Sequence, residues 1–273
     1  MTDDIAILGC GPSGLLAAHA AAQRGFKPTI YSVKIKSPVG MAQFMHEAIP
    51  GASRSSDKEI IAFDKLGTRE GYAHKVYGSY DAPCSWDQFP REYMDGWPVR
   101  PMYNRLWDMY SDMIVGMMIT PDDIPVMRRH HEVVINTIPA QAICTNLSEH
   151  RFPRQEIWLA DRHPGFEPPD NSMTYNGFMG IEWYRASKLF GVATFEYATR
   201  PHWYTDYPSD EGIQWSNGFK PLDTNCDCQP EVHRVGRFGE WRKGVLLHHA
   251  YTDAVAIVDD YINTTQQVAH NAV

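Results

Sequence analysis

A glycine-rich turn near the amino terminus has the residue types and the spacing to hold a dinucleotide. The segment Gly9-Cys10-Gly11-Pro12-Ser13-Gly14 has the G-x-G-x-x-G pattern and lies between an apolar run and an alanine-rich segment. In that context Gly9 permits a tight turn, Gly11 lets the backbone approach a diphosphate, and Gly14 lets the helix pack on the strand. The amino end of the helix then offers unpaired N–H groups to the phosphates. We therefore expect this segment to bind a dinucleotide, the alternative being a turn without a ligand.

The residues that would select the dinucleotide depart from the usual pattern. An acidic residue about 20 positions after the glycines commonly binds the ribose hydroxyls, whereas Ser32 stands at that place in this sequence. Lys34 and Lys36 follow it and could attract a 2′-phosphate, although both could equally lie in a solvated loop. Ser32 and Lys34 are therefore expected at the cofactor, and NADP stays open as its identity.

Three other segments carry side chains suited to acid–base or anion chemistry. His248 and His249 begin a helical segment, and because histidine titrates near neutral pH, either could exchange a proton with a substrate. Arg237 directly follows Gly236, and its planar fork of donors could bind a diphosphate. Arg185 lies among aromatic residues that could line a substrate pocket. Packing, helix capping and surface ion pairing are the alternatives for these residues.

The five cysteines lack the pattern of a secreted disulfide framework. They are odd in number and scattered, which favours a reducing cytoplasm. Cys226 and Cys228 are separated by one residue, a shorter spacing than in the usual zinc pairs, and no second pair occurs at a suitable spacing. We therefore expect structural cysteines and no metal site.

Composition excludes several classes of protein. A chain of 273 residues with 43% hydrophobic residues can bury a substantial core. The formal net charge of -8 repels polyanions, so nucleic-acid binding is not indicated, although a local basic groove stays open. The first residues lack the basic and then apolar profile of a signal peptide. Residues 113–119 form the longest apolar stretch, far below the roughly 20 residues of a membrane helix. We expect a cytoplasmic protein without a membrane partner.

Apolar periodicity predicts a βαβ unit at the amino terminus. Residues 5–8 and 28–31 are short apolar runs, and residues 13–24 form an alanine-rich helix between them that ends at Gly25. Residues 132–139 resemble a further buried strand that stops at a proline, and residues 233–236 form a last short strand before a helix over residues 247–261. These strands would form one parallel sheet.

The remaining segments differ in character. Residues 102–114 have apolar positions at helical spacing, and residues 181–199 alternate with a period of two, which suits antiparallel strands. Residues 53–98 are expected to form helices and loops, and residues 200–225 a long loop. The sequence thus predicts an α/β fold, in which a Rossmann-type domain with a parallel sheet carries a smaller α+β substrate cap. Residues 1–51, 124–161 and 229–273 would form the first domain, and residues 52–123 and 162–228 the cap.

Three segments resemble the class of FAD proteins that includes amine oxidases, protoporphyrinogen oxidase and UDP-galactopyranose mutase. They are the glycine turn with Leu15, residues 134–139, and residues 234–251 with their Gly-Arg turn. The whole chain is also similar to short FAD-dependent oxidoreductase-like proteins of actinobacteria and their viruses, through residues 40–46, residues 225–228 and the Gly-Arg-Phe-Gly segment. The likeness spans most of the chain. The acidic ribose ligand is missing, however, and the chain is much shorter than typical amine oxidases.

The resemblance implies an FAD-binding domain and assigns residues to it. It places at the cofactor, beyond the glycine turn, Ala42, Gln43, Phe44, Thr137, Pro139, Gly236, Arg237, Val245, Leu246 and Leu247. It places the flavin near the start of the last helix and His46 on the loop beneath it. We take His46, Arg185, His248 and His249 as the catalytic candidates.

The resemblance further implies an FAD-dependent oxidoreductase. Since the sequence has no second dinucleotide fingerprint for NAD(P)H, we favour oxidation of a C–N bond in an amine or amino-acid-like substrate. A narrower version is an amino-acid-modified thymine in viral DNA, acted on in the host cytoplasm, which the acidic net charge does not favour. The alternatives are a non-redox flavoenzyme of the galactopyranose mutase type and a dinucleotide-binding protein without catalysis.

Overall fold

The computed structural model describes residues 4–33, 35–36, 43–84, 86, 92–201, 213 and 215–271. Its elements in chain order are β1 (Ile5–Leu8), α1 (Pro12–Ala22), β2 (Thr29–Ser32), β3 (Phe44–Met45), β4 (Glu59–Leu66), α2 (Arg69–Tyr77), β5 (Tyr93–Pro98), α3 (Val99–Tyr110), β6 (Ile114–Gly116), α4 (Ile124–His130), β7 (Val133–Asn136), β8 (Arg154–Ala160), β9 (Ser172–Asn176), β10 (Arg185–Leu189), β11 (Val192–Tyr197), β12 (Trp215–Pro221), β13 (His233–Arg234), α5 (Gly236–Glu240) and α6 (Leu247–Asn271). Two compact units result: unit 1 is Met1–Arg54, Val99–Pro153 and Pro221–Val273, and unit 2 is Ser55–Pro98 and Arg154–Lys220.

Unit 1 contains a parallel sheet with the strand order β13-β7-β1-β2-β6. The central strand β1 is fully buried, and Ala6 lies opposite Thr29 of β2 and Val134 of β7. A strand covered on both faces is expected to be apolar, as β1 and the first three residues of β7 are. The predicted βαβ unit, the strand near residues 132–139 and the last short strand are all confirmed.

The helices α1 and α6 pack against each other in unit 1. Pro12 stands at the first position of α1, where its missing N–H costs nothing. Arg24 at the end of α1 forms a bidentate ion pair with Asp259 of α6, and Gln23 accepts a hydrogen bond of 2.6 Å from the hydroxyl of Tyr251. The last helix begins at Leu247 as predicted and runs ten residues beyond residue 261. No helix among the described residues is both long and apolar enough to cross a bilayer.

The helix predicted over residues 102–114 is shorter in the structure. Helix α3 ends at Tyr110, and Ile114 instead begins β6, which pairs in parallel with β2. Its predicted buried face is correct, because Met102, Tyr103 and Leu106 are at most 1% exposed. The prediction erred at its end because one apolar residue at helical spacing cannot by itself distinguish a helix from an edge strand.

Unit 2 contains a mixed sheet whose strands follow the order β12-β8-β11-β10-β9-β4-β5. The period-two segment forms the antiparallel pair β10–β11, as predicted, with Ala186 opposite Phe195. Residues 53–98 were expected to form helices and loops. Helix α2 confirms this in part, but the expectation was wrong for β4 and β5, which form an antiparallel pair, and β4 also pairs in parallel with β9. The expected loop over residues 200–225 is wrong in its last part, where β12 lies, and residues 202–212 lie outside the described residues.

The two units divide the chain at other positions than the expected domains. Residues 99–123 were assigned to the cap, yet they lie in unit 1, because α3 packs on α1 and β6 extends the parallel sheet. Residues 154–161 were assigned to the cofactor domain, yet they belong to unit 2, because β8 pairs with β11. Residues 221–228 likewise lie in unit 1. Strand pairing decided these boundaries, and the pairing partner of a strand cannot be predicted from the sequence of that strand alone.

Candidate cofactor site

Three neighbouring strands of the parallel sheet end at one edge in unit 1. The strands β1, β7 and β13 end at Leu8, Asn136 and Arg234. The glycine turn directly follows β1, Thr137 directly follows β7, and Gly236 lies two residues after β13. Ligands of open parallel sheets bind outside the carboxyl ends of the strands, so this edge is the place to test the predicted residues.

The glycine turn is tightly built around the end of β1. Gly9 has a φ of +104°, which favours glycine, and its N–H donates to the carbonyl oxygen of Tyr31 at 2.9 Å. A Cβ on Gly14 would lie 1.9 Å from the carbonyl oxygen of Gly9. Thr137 closes the turn from the next strand, because both its N–H and its hydroxyl donate to Leu8, at 3.0 and 2.7 Å. Gly9 and Gly14 are therefore needed for the fold itself.

Gly11 differs from the other two glycines of the motif. A Cβ at Gly11 would meet no atom of the described residues within 4 Å, and its φ of -68° and ψ of 179° are open to any residue. Gly11 is the N-cap of α1, and no described side chain caps that helix. No described side chain therefore accepts a hydrogen bond from the first-turn N–H groups of α1. Free N–H groups at a helix start can bind an anion. The space beside Gly11 is what a phosphate group requires.

Gly236 connects the start of α1 to the start of α6. It has a φ of +76°, and a Cβ there would lie 2.6 Å from Ser13 Oγ and 3.6 Å from the Cβ of Ala250. Ser13 lies in the first turn of α1 and Ala250 in the first turn of α6. The start of the first helix, predicted at the diphosphate, and the start of the last helix, predicted near the flavin ring, therefore flank the same glycine.

The other predicted cofactor residues of the carboxyl-terminal segment lie next to this glycine. Arg237 Nε donates to the carbonyl oxygen of Val245 at 3.0 Å, so this arginine fastens the loop that precedes α6. Leu246 and Leu247 follow that loop at the helix start. Pro139, after β7, caps a short 3-10 turn over Ala140–Ile143. The structure brings these residues to the sheet edge, and their contact with a cofactor stays a prediction.

Three histidines form a group at the start of α6. The rings of His46 and His248 are 5.6 Å apart, and those of His248 and His249 are 4.4 Å apart. Phe44 stacks on His46 at 4.9 Å. A carboxylate oxygen of Glu47 lies 3.8 Å from His248 Nε2. Strand β3 with the residues that follow it and the start of the last helix are thus adjacent within unit 1.

Burial keeps two of these imidazoles neutral. The pKa of His46 is lowered to about 4 by burial and by the nearby His248 and His249. The pKa of His248 is lowered by burial and by His249, against the opposing effect of Glu47. His248 Nδ1 is buried and has no hydrogen-bond partner in the described part of the chain. His249 Nδ1 accepts the N–H of Leu246 at 3.3 Å, so a neutral His249 carries its proton on Nε2.

The predicted residues around the second strand are only partly described. Ser32 ends β2, and its carbonyl oxygen accepts the N–H of Met117 at 2.9 Å. The carbonyl oxygen of Gln43 accepts the N–H of Val99 at 3.1 Å. The ammonium of Lys36 lies 5.9 Å from the ring centre of Trp107. Lys34 and Ala42 lie outside the described residues.

Arg185 belongs to unit 2, where it forms a partly buried ion pair with Glu196. Its guanidinium donates to Glu196 through Nε at 2.8 Å and through a second, shorter bond. Glu196 also accepts the hydroxyl of Tyr184 at 2.7 Å and the ammonium of Lys220 at 3.1 Å. Burial would raise the pKa of Glu196, but the charges of Arg185 and Lys220 outweigh it and hold the pKa at about 2. The aromatic residues expected to line a pocket here are mostly core: Trp183, Tyr184, Phe195 and Tyr197 are each 1% exposed.

A group of four possible metal ligands was not foreseen from the sequence. The ligand atoms of Cys144, His150, Cys226 and Cys228 all lie within 4.8 Å of one another in unit 1. The prediction of no metal site considered the pair Cys226–Cys228 without the other two residues. Cys144 and Cys228 are 84 positions apart, so no local spacing could have indicated the group.

Comparison with known proteins supports the fold. No protein-family model matches the sequence, and no curated protein matches it. The structure is similar to a reduced UDP-galactopyranose mutase, with a TM-score of 0.62 and 11% identity over 97% of this chain and 94% of that chain. It is also similar to a geranylgeranyl bacteriochlorophyll reductase-like protein from Thermoplasma acidophilum, with a TM-score of 0.54 and 14% identity over 97% of this chain and 79% of the other. The chain therefore has a Rossmann-type α/β fold, similar to that of the UDP-galactopyranose mutase.

Proposed function

We propose that this chain binds FAD with the diphosphate beside Gly11 and the first turn of α1. The observation that carries the proposal is the position at Gly11, where a Cβ would meet no atom within 4 Å in the part of the chain that the structure describes, at a helix start that no described side chain caps. A glycine that the fold does not need, in front of unpaired N–H groups, is explained by an anionic ligand that approaches the backbone.

The residues of the same sheet edge suit the rest of the cofactor. Ser13 and Gly236 lie beside the diphosphate position, and Thr137 closes the turn behind it. Leu247 begins a helix of 25 residues, whose amino end favours negative charge nearby. Flavin, when bound, supplies the redox chemistry by accepting an electron pair from the substrate. The protein supplies the position, the electrostatics and the proton transfers.

We propose further that the enzyme oxidises a C–N bond of an amine or amino-acid-like substrate. Such a substrate reacts as the neutral amine, so a group that is unprotonated at neutral pH must take its proton. His248 is unprotonated at neutral pH, because burial lowers its pKa; His46, with a pKa lowered to about 4, is a weaker base. His248, in the first turn of α6, is the residue we assign to the proton transfer. An amino-acid-modified thymine is the narrower substrate to be tested.

Two alternatives predict different behaviour. A flavoenzyme of the galactopyranose mutase type, which the fold similarity also allows, would turn over only with reduced flavin and without net electron transfer. A dinucleotide-binding protein without catalysis would bind FAD, but no substrate would reduce the bound flavin. The missing acidic residue at Ser32 keeps NADP as an alternative cofactor.

The absorption spectrum of the purified protein tests the proposal first. We expect the two visible bands of oxidised flavin, and release of FAD when the protein is denatured and analysed by mass spectrometry. Anaerobic addition of a panel of amines, including amino-acid-modified thymidine, should bleach the flavin with one member. His248→Asn should slow this bleaching without loss of FAD. A colourless protein that binds no added FAD, or one that binds NADP instead, would refute the assignment.

A further inference from the structure

Two loops of unit 1 bring three thiols and one imidazole together. We call Cys144, His150, Cys226 and Cys228 the cysteine–histidine cluster; their ligand atoms lie within 4.8 Å of one another. Two members come from the loop after β7 and two from the loop before β13. Cys144 and Cys226 are buried, and the side chain of His150 is 15% exposed. The cluster is distinct from the candidate cofactor residues described above.

Three distances in the cluster match the edges of a tetrahedral zinc site. With Zn–S near 2.3 Å and Zn–N near 2.0–2.1 Å, a tetrahedral site has edges of about 3.8 Å between sulfurs and about 3.5 Å between sulfur and nitrogen. The sulfurs of Cys144 and Cys228 are 3.8 Å apart, and each lies 3.4 Å from His150 Nδ1. The sulfur separation also excludes a disulfide bond in this structure, which requires about 2.05 Å.

Hydrogen bonding alone does not explain the cluster. His150 Nδ1 has one lone pair or one proton, yet two sulfurs approach it equally closely. A metal ion between the ligands would be bound by that lone pair and by the thiolates together. We propose that the cysteine–histidine cluster binds one zinc ion as a closed structural site.

The surroundings of the cluster are those of a zinc site. The other nitrogen of His150 lies 3.4 Å from a carboxylate oxygen of Asp227, the partner that orients a metal-binding imidazole. The N–H of Asn146 donates to the sulfur of Cys144 at 3.4 Å. Arg234 donates to the carbonyl oxygens of Cys226 and Cys228 at 2.8 and 2.7 Å. Three thiolates and one zinc ion carry a net charge of -1, which the Arg234 guanidinium offsets.

The ligands are also held in place by bonds that do not involve the metal. The hydroxyl of Thr224 donates to the carbonyl oxygen of Arg151 at 2.7 Å, and the N–H of Arg151 donates to the side chain of Asn225, also at 2.7 Å. The two loops are therefore joined beside the cluster. With four protein ligands the ion has no open position, which is typical of structural zinc rather than catalytic zinc. The ion would fasten the segment that leads into β13 and Gly236.

Metal analysis of the full chain, produced without a polyhistidine tag, tests this proposal. We expect about one zinc ion per chain by mass spectrometry of the elements, and an X-ray absorption shell of sulfur near 2.3 Å. Cys228→Ser should lose the zinc, and Cys84→Ser, which changes a buried cysteine outside the cluster, should retain it. Removal of zinc by a strong chelator should lower the melting temperature of the wild-type protein and of Cys84→Ser alike.

Two further variants keep the proposal testable if Cys228→Ser does not fold. His150→Cys should retain zinc, with four sulfurs in the absorption shell, whereas His150→Ala should lose it. Asp227→Asn, which changes a carboxylate that is 93% exposed, should fold and weaken zinc binding about 10-fold. The proposal is overturned by a folded wild-type protein that contains no zinc and whose three cluster thiols all react with a thiol reagent, by iron in place of zinc, or by a disulfide among the three cysteines.

Discussion

Replacing Gly11 by alanine should separate cofactor binding from folding. In the apoprotein the new Cβ meets no atom within 4 Å, and the backbone angles of Gly11 suit alanine. Alanine in place of glycine at a compatible position stabilises the folded chain by about 0.4–1 kcal/mol, because the unfolded chain loses freedom. The apoprotein should therefore be as stable as the wild type or slightly more stable.

The same methyl group should obstruct the cofactor. It occupies the position through which a phosphate would reach the backbone N–H groups at the start of α1. Loss of one hydrogen bond to a charged group costs about 1.5–3 kcal/mol. Since each 1.4 kcal/mol is about tenfold in affinity, Gly11→Ala should weaken FAD binding by about 10- to 100-fold, and Gly11→Val by more.

Two measurements on the same apoprotein check this prediction. Urea unfolding gives the free energy of unfolding, and titration with FAD, followed by quenching of flavin fluorescence, gives the dissociation constant. Gly14→Ala is the contrasting variant, because its Cβ would lie 1.9 Å from a backbone oxygen and should destabilise the apoprotein by about 3 kcal/mol or more. If Gly11→Val bound FAD as tightly as the wild type, the diphosphate could not lie beside Gly11. If Gly11→Ala were markedly less stable than the wild type, the position beside Gly11 could not be open.

Three further predictions concern stability. Glu196→Gln leaves a buried guanidinium without its anion and should cost about 3–5 kcal/mol in urea unfolding, whereas Lys58→Met, which breaks an exposed pair, should change little. His46 has a pKa of about 4 in the folded chain against 6.5 in the unfolded chain. The unfolded state therefore binds more protons between these two pH values, and the free energy of unfolding should fall as the pH drops from 6.5 to 4. His46→Asn should flatten that part of the stability profile, and an unchanged slope would contradict the burial of this imidazole. Gly239→Ala should lower the melting temperature, because its Cβ would lie 2.3 Å from the carbonyl oxygen of Asn136, the last residue of β7. Gly116→Ala is the control, since its Cβ would meet no atom of the described residues within 4 Å. Equal melting temperatures for the two variants would contradict the close packing at Gly239.

The sequence alone predicted the elements whose signal is local. The apolar run at residues 5–8, the glycine pattern after it and the helix that follows specify a βαβ unit by their period and their turn residues, and the structure confirms it. The start of the last helix at Leu247 was correct for the same reason. Residues 59–66 were missed as a strand, because their burial does not follow a regular alternation of apolar and polar residues.

Tertiary structure decided which of these elements meet. Nothing in the sequence near Gly236 indicates that it packs on Ser13, and nothing near Cys144 indicates that Cys228, 84 positions away, lies beside it. Local sequence determines the conformation of a segment through its own steric and hydrogen-bonding preferences. Which distant side chains become neighbours depends on how strands pair and helices pack across the whole domain, and that arrangement sets both the sheet edge and the cysteine–histidine cluster.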